Sequence, residues 1–135
     1  MITAVDSSGL WAIAKGEADG AAWLETLAKC RVEGRLVVCD IVWAETRVGF
    51  PTATAQAGFF ERMGVHFDLS DAAVATLAGE IHDRYRRAGG KRTRLSADFL
   101  IGAHAMVRAN RLATKDDGFF REQFRKLAVV RPEVE

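Results

Sequence analysis

Apolar runs and amphipathic stretches alternate along the chain, and the alternation predicts strands and helices in turn. Ile2 and Val5 open it as strand formers, and Asp6 stops the run. Ser7 or Ser8 then N-caps a short helix over 8–15 that ends near Gly16. Trp23, Leu24, Leu27 and Ala28 fall at helical spacing within 18–31, and Gly34 breaks that pattern. Leu36, Val37, Val38 and Cys39 form a continuous apolar run, the mark of a strand buried on both faces. Asp40 is placed to cap a helix from 41 to about 49, and Pro51 or Thr52 opens another through about 63. A third strand is predicted over 65–69. Ser70 follows as the cap of a long helix over 71–88, whose Val74, Leu77, Ile81 and Tyr85 share one face. Gly89 and Gly90 end it. Ser96 caps a helix over 97–109, with Leu100, Ala103 and Val107 directed inward. A short strand over 111–114, a turn over 115–118, a last helix over 119–126 and a strand over 127–130 complete the pattern, and Pro132 ends it.

Strands alternating with helices predict an α/β fold, a parallel sheet in a three-layer α/β/α sandwich. The strand order 3-2-1-4-5 places the first strand at the centre, with a switch point beside Asp6. Ligands of such sheets sit beyond the carboxyl ends of the strands, which makes Asp6 a site candidate as well as a helix cap. The 135 residues suit one domain over 1–135.

Composition narrows the function classes. Hydrophobic residues make up 49% and charged residues 27%, and the formal net charge is +1, so any surface for nucleic acid must be local. Cys30 and Cys39 show neither a disulfide framework nor metal spacing and read as buried thiols of a reducing cytosol. No apolar run approaches the length of a membrane span, and no basic-then-apolar leader opens the chain, so a cytoplasmic protein is expected.

Four acids fall at comparable places. Asp6 ends the first strand, Glu45 lies in the helix after the second, Asp98 opens the helix before the fourth, and Asp116 follows the fourth. Converging carboxylates repel one another, and a divalent cation relieves that cost. An all-oxygen donor set suits Mg²⁺ or Mn²⁺ better than zinc. His66, His82 and His104 make no ligand pair by spacing, and His104 reads as structural. Trp11, Trp23 and Trp43 read as core or interface residues. The basic run over 84–94 holds Arg84, Arg86, Arg87, Lys91, Arg92 and Arg94 with no acid in it. It suits a solvated surface, a strip that tracks phosphates, or a dock for an acidic partner.

Val-Asp-Ser-Ser (5–8), Trp-Ala-Glu-Thr (43–46), Ser-Ala-Asp-Phe-Leu-Ile-Gly-Ala-His-Ala (96–105) and Ala-Thr-Lys-Asp-Asp-Gly-Phe-Phe (113–120) resemble, in order and spacing, the four motifs of the PIN domain. In particular the chain resembles the VapC-type toxin ribonucleases of bacterial toxin–antitoxin pairs. The resemblance covers essentially the whole chain. It implies a catalytic set of Asp6, Glu45, Asp98 and Asp116, with Asp6, Asp98 and Asp116 on the metal. Ser7 and Thr114 match the small polar residues that support the site. It also implies a Mg²⁺- or Mn²⁺-dependent endoribonuclease, a homodimer, and inhibition by a cognate antitoxin. Lys91, Arg92 and Arg94 are the expected RNA contacts. Asp117 stands beside Asp116 and leaves the fourth position open by one residue. The Thr-x-Asp spacing and strand alternation favour Asp116, with Asp117 as a helix cap or dipole partner. Two rivals are a PIN-like module that binds without cutting, and a phosphoryl-transfer protein with Asp6 as nucleophile. The second lacks the usual Asp-x-Asp, because Asp6 is followed by Ser7 and Ser8.

Overall fold

A computed structural model describes residues 1–133. Its elements run β1 (Ile2–Val5), α1 (Ser7–Ala14), α2 (Gly20–Glu33), β2 (Arg35–Cys39), α3 (Asp40–Thr46), a 3-10 turn (Arg47–Gly49), α4 (Ala53–Met63), β3 (Val65–Asp68), α5 (Ala72–Arg87), α6 (Ala97–Arg108), β4 (Arg111–Ala113), α7 (Asp117–Gln123) and β5 (Ala128–Val130). The five strands form one parallel sheet in the order β3-β2-β1-β4-β5, with helices flanking it. The expected order is therefore the observed one.

The sheet centre is apolar, as its sequence dictates. Ala4 and Val5 of β1 are buried, and so are Leu36, Val37, Val38 and Cys39 of β2 and Leu112 and Ala113 of β4. Trp23, Leu27, Phe60, Val74, Phe99, Phe120 and Phe124 cover these strands from the helices. Gly102, within the third motif, has no room for a Cβ because the ring of Phe124 lies against it. Cys30 and Cys39 are free and buried, and burial pushes the Cys39 thiol up to about 11. No helix among the described residues is long and apolar enough to cross a membrane.

Several predicted caps move by a residue or change partner. Asp6, not Ser7 or Ser8, is the N-cap of α1: its backbone is extended and its carboxylate accepts from Ser7 N–H. Asp71, not Ser70, caps α5 by accepting from Val74 N–H at 3.0 Å. Asp40 does not cap α3. Its carboxylate accepts from Ser70 N–H at 3.2 Å and from Ser70 Oγ at 2.7 Å, and so ties the end of β2 to the turn after β3. Burial works to push the Asp40 carboxyl up, but the two bonds from Ser70 leave it below the usual carboxylate range. Thr52 caps α4 through Ala55 N–H at 3.0 Å, one of the two residues expected to open that helix. Ser96 occupies the cap position of α6 without making the bond, and its buried hydroxyl has no protein partner.

Candidate active site

Parallel strands bring their carboxyl ends to one edge of the sheet, and β1 is held on both sides there. Asp6 N–H donates to the carbonyl of Ala113 at 2.9 Å, which locks the end of β1 to the end of β4. The Asp6 side chain is only 6% exposed. Thr114 Oγ1 donates to its Oδ2 at 2.7 Å, Ser8 Oγ to the same oxygen at 3.2 Å, and Ser7 N–H to Oδ1 at 2.7 Å. Ser7 Oγ lies 3.4 Å from Oδ1. These donors favour the ionised carboxylate, yet burial outweighs them, and with the charge of Asp98 it holds the Asp6 carboxyl above its ordinary range.

Glu45 projects from the last turn of α3. Burial pushes its carboxyl up, and the charges of Asp6 and Asp98 add to that push, while Ser7 opposes it with a hydrogen bond. Asp98, in the first turn of α6, is therefore the third member of one electrostatic group. Among the described residues neither Asp6 nor Glu45 forms an ion pair. Asp98 does: Arg92 Nη1 donates to its Oδ2 at 2.8 Å.

Asp116 joins the group through its main chain. Its N–H donates to Thr114 Oγ1 at 3.0 Å, the same hydroxyl that bonds Asp6, while its carboxylate is exposed. Asp117 begins α7 and turns to other partners, with Oδ1 3.0 Å from Arg131 Nη1 and Oδ2 3.6 Å from Arg121 Nε. Asp6, Glu45 and Asp98 thus lie close enough to feel one another's charge, and the main chain of Asp116 is tied to the same Thr114 hydroxyl as Asp6. Among the described residues no three acidic, histidine or cysteine side chains converge into a ready-made ion cage.

Lys91 and Arg94 are exposed and form no ion pair with any described residue, whereas Arg92 is committed to Asp98. Sequence reasoning gave Ser8 only a capping role. In the fold it accepts from Lys115 N–H at 3.0 Å while donating to Asp6, and so fastens the loop carrying Asp116 to the buried carboxylate. The repeated hydroxyl in Asp-Ser-Ser is the one sequence signal for it. Lys115 Nζ in turn lies 3.2 Å from Glu17 Oε1 and 2.9 Å from Asp19 Oδ2, which anchors the loop between α1 and α2.

A three-layer α/β fold with carboxylates gathered past its central strand defines a class of proteins, and the comparison with known families agrees. Residues 3–124 match the model of the PIN domain, and the chain belongs to that family. Solved structures of similar fold include VapBC2 from Rickettsia felis bound to a DNA fragment from its promoter. It is 17% identical, with 98% of this chain and 100% of that chain covered and a TM-score of 0.76. VapBC-1 from nontypeable Haemophilus influenzae is 19% identical over 97% of this chain and 98% of that one, with a TM-score of 0.72. FitAB bound to the IR36 DNA fragment is 24% identical over 100% and 98%, with a TM-score of 0.65. No curated protein sequence is similar enough to count as a relative.

Proposed function

We propose that the protein is a divalent-metal-dependent endoribonuclease of the VapC type, which hydrolyses RNA phosphodiester bonds and is held in check by a cognate antitoxin protein. One observation carries the reading: Asp6 is a buried carboxylate at the end of the central strand, its charge coupled to those of Glu45 and Asp98, and among the described residues no cation is paired to it. A hard, all-oxygen set of this kind fits Mg²⁺ or Mn²⁺. Asp6, Asp98 and Asp116 would hold the ion, directly or through water. Bound there, it would lower the pKa of water and offset charge developing on the phosphate. Glu45, whose carboxyl is raised, is suited to ligate or to orient the attacking water. Ser7 and Thr114 hold Asp6 in one orientation. Lys91, Arg92 and Arg94 would contact the RNA backbone.

The antitoxin rests on the motif resemblance and on the likeness in fold to the VapBC and FitAB structures, and a homodimeric state on the motif resemblance alone. The alternative is a PIN-like module that binds RNA or protein without cutting. It draws support from the Arg92–Asp98 pair, which occupies a proposed ligand. Cleavage of RNA by purified protein, with and without Mg²⁺ or Mn²⁺ and with Asp6→Asn as control, separates the two. Metal-dependent cleavage abolished by Asp6→Asn supports the nuclease. Full cleavage by folded Asp6→Asn protein, or by the wild type in excess EDTA, rules out the proposed site.

A further inference from the structure

Arg92 does not sit on the acidic site as a loose surface side chain. Its N–H donates to Tyr85 Oη at 3.2 Å, and its carbonyl oxygen lies 3.0 Å from His82 Nε2. Both partners stand on α5 and pack with the ring of Phe99, at centroid distances of 5.3 and 4.9 Å. The guanidinium lies over Phe119 at 4.5 Å from the ring centroid, and Phe119 in turn packs on Phe99 at 5.3 Å. An aromatic platform thus fixes the main chain of Arg92 and supports its side chain, and the remaining direction leads to Asp98.

Its neighbours in the basic run are engaged differently. Arg84 donates to the carbonyl of Gln123, Arg87 pairs with Asp83 one turn away, and Lys91 and Arg94 face solvent. Among the described residues, Arg92 alone reaches the carboxylate whose charge both Asp6 and Glu45 feel. It remains 41% exposed, so the guanidinium can turn outward without disturbing the core.

We propose that Arg92 is the resident counter-ion of Asp98, and that it hands this carboxylate to the divalent cation and takes up RNA phosphate instead. The inference rests on the metal site proposed above. A planar guanidinium fork suits carboxylate and phosphate alike, so one group can serve both positions. Without RNA, a cation entering the site competes with Arg92 for Asp98. With RNA, the backbone offers Arg92 another anion and Asp98 is released. Metal and RNA therefore tighten each other's binding, and the coupling is the same in either direction.

The test is Mn²⁺ affinity of the full chain, read from the electron paramagnetic resonance signal of free Mn²⁺, with circular dichroism to confirm the fold. Without RNA, Arg92→Gln is expected to bind Mn²⁺ about five- to tenfold more tightly than wild type, the scale of a half-exposed ion pair plus removal of a nearby positive charge. Phe119→Leu, which takes away the ring beneath the guanidinium, is expected to fall between the two. A 2′-O-methyl RNA oligonucleotide, used as an uncleaved backbone, is expected to tighten Mn²⁺ binding to wild type and to leave Arg92→Gln unchanged. Equal or weaker Mn²⁺ affinity in Arg92→Gln overturns the competition, and equal tightening of both proteins by the oligonucleotide overturns the exchange. If neither protein binds Mn²⁺ at millimolar concentration, the metal site itself fails, and the inference falls with it.

Discussion

Two groups of carboxylates stand in this fold, and their electrostatics are opposite. Around Asp6, the charges of three acids act on one another, and burial, with that repulsion added, holds Asp6 and Glu45 above their ordinary range. At the end of β3, Asp68 and Asp71 face Arg108. Arg108 Nε lies 2.6 Å from Asp68 Oδ2 and its Nη1 lies 3.0 Å from Asp71 Oδ2. The Arg108 bonds hold the Asp68 carboxyl below its usual range; for Asp71 the Val74 N–H leads and Arg108 adds to it. His104, 1% exposed, completes this group with Nε2 at 2.8 Å from Asp68 Oδ2. The second group is satisfied by its own chain and serves the fold. The first is left short of positive charge, and that shortage is what supports the site proposed there.

Charge removal should separate the two groups most sharply in activity. Asp98→Asn is expected to lower RNA cleavage by about 100-fold or more, the scale at which perturbing a metal's ligand shells is felt. Asp68→Asn, assayed well below its melting temperature, should cleave within about twofold of wild type. Comparable losses in both would dissolve the distinction.

Stability should show the reverse. Asp68→Ala strands the buried imidazole of His104 without its partner and is expected to cost about 1–3 kcal/mol in denaturant unfolding. Asp6→Asn should instead raise the stability of the metal-free protein, because it removes a buried charge that its neighbours disfavour. A destabilised, metal-free Asp6→Asn would show that the bonds from Thr114, Ser7 and Ser8 outweigh burial and repulsion.

The response to pH follows from the signs of the shifts. The Asp68 carboxyl is lowered in the fold, so its contribution is complete above its unfolded value of 3.8 and is lost as pH falls through the lower folded value. Asp6 and Glu45 are raised, so they penalise the metal-free fold above their folded values, and that penalty fades as pH falls toward 3.8 and 4.5. Metal-free wild type should therefore gain stability on mild acidification and lose it in stronger acid. Asp6→Asn should reduce the gain, and Asp68→Asn should reduce the loss. A gain of unaltered size in Asp6→Asn would place its origin elsewhere.

The smallest contrast lies within one turn. Asp116→Asn should lose cleavage with little change in metal-free stability, whereas Asp117→Asn should cleave normally and cost at most about 1 kcal/mol as its pairs with Arg131 and Arg121 weaken. The opposite assignment would make Asp117 the fourth acid.

Much of this was legible in the sequence, because strand order follows from alternation and right-handed crossovers, and the motif acids sit at element ends. What escaped was partnership. Asp and Ser are comparable helix caps, so composition did not choose Asp6 over Ser7, or Asp71 over Ser70. The bond between Asp40 and Ser70 spans 30 residues, and the pair of Arg92 with Asp98 depends on how a loop folds over Phe119. Such pairings are products of tertiary packing, which local propensity does not encode. In the sequence Arg92 is one cation of a run, and only the fold pairs it with Asp98.

The hydrogen bond from Thr114 to Asp6 joins residues 108 positions apart. A ribosome makes Asp6 well before Thr114, and until β4 emerges β1 lacks one of its two neighbours. Asp98 is likewise made long after Asp6. The acidic pole therefore assembles only after Asp98 and β4 have been made, and its long-range pairing makes that step slow relative to local helix formation. On the nuclease reading proposed above, a nascent chain would stay inert toward RNA until those segments had emerged, which would leave time for the proposed protein partner to arrive.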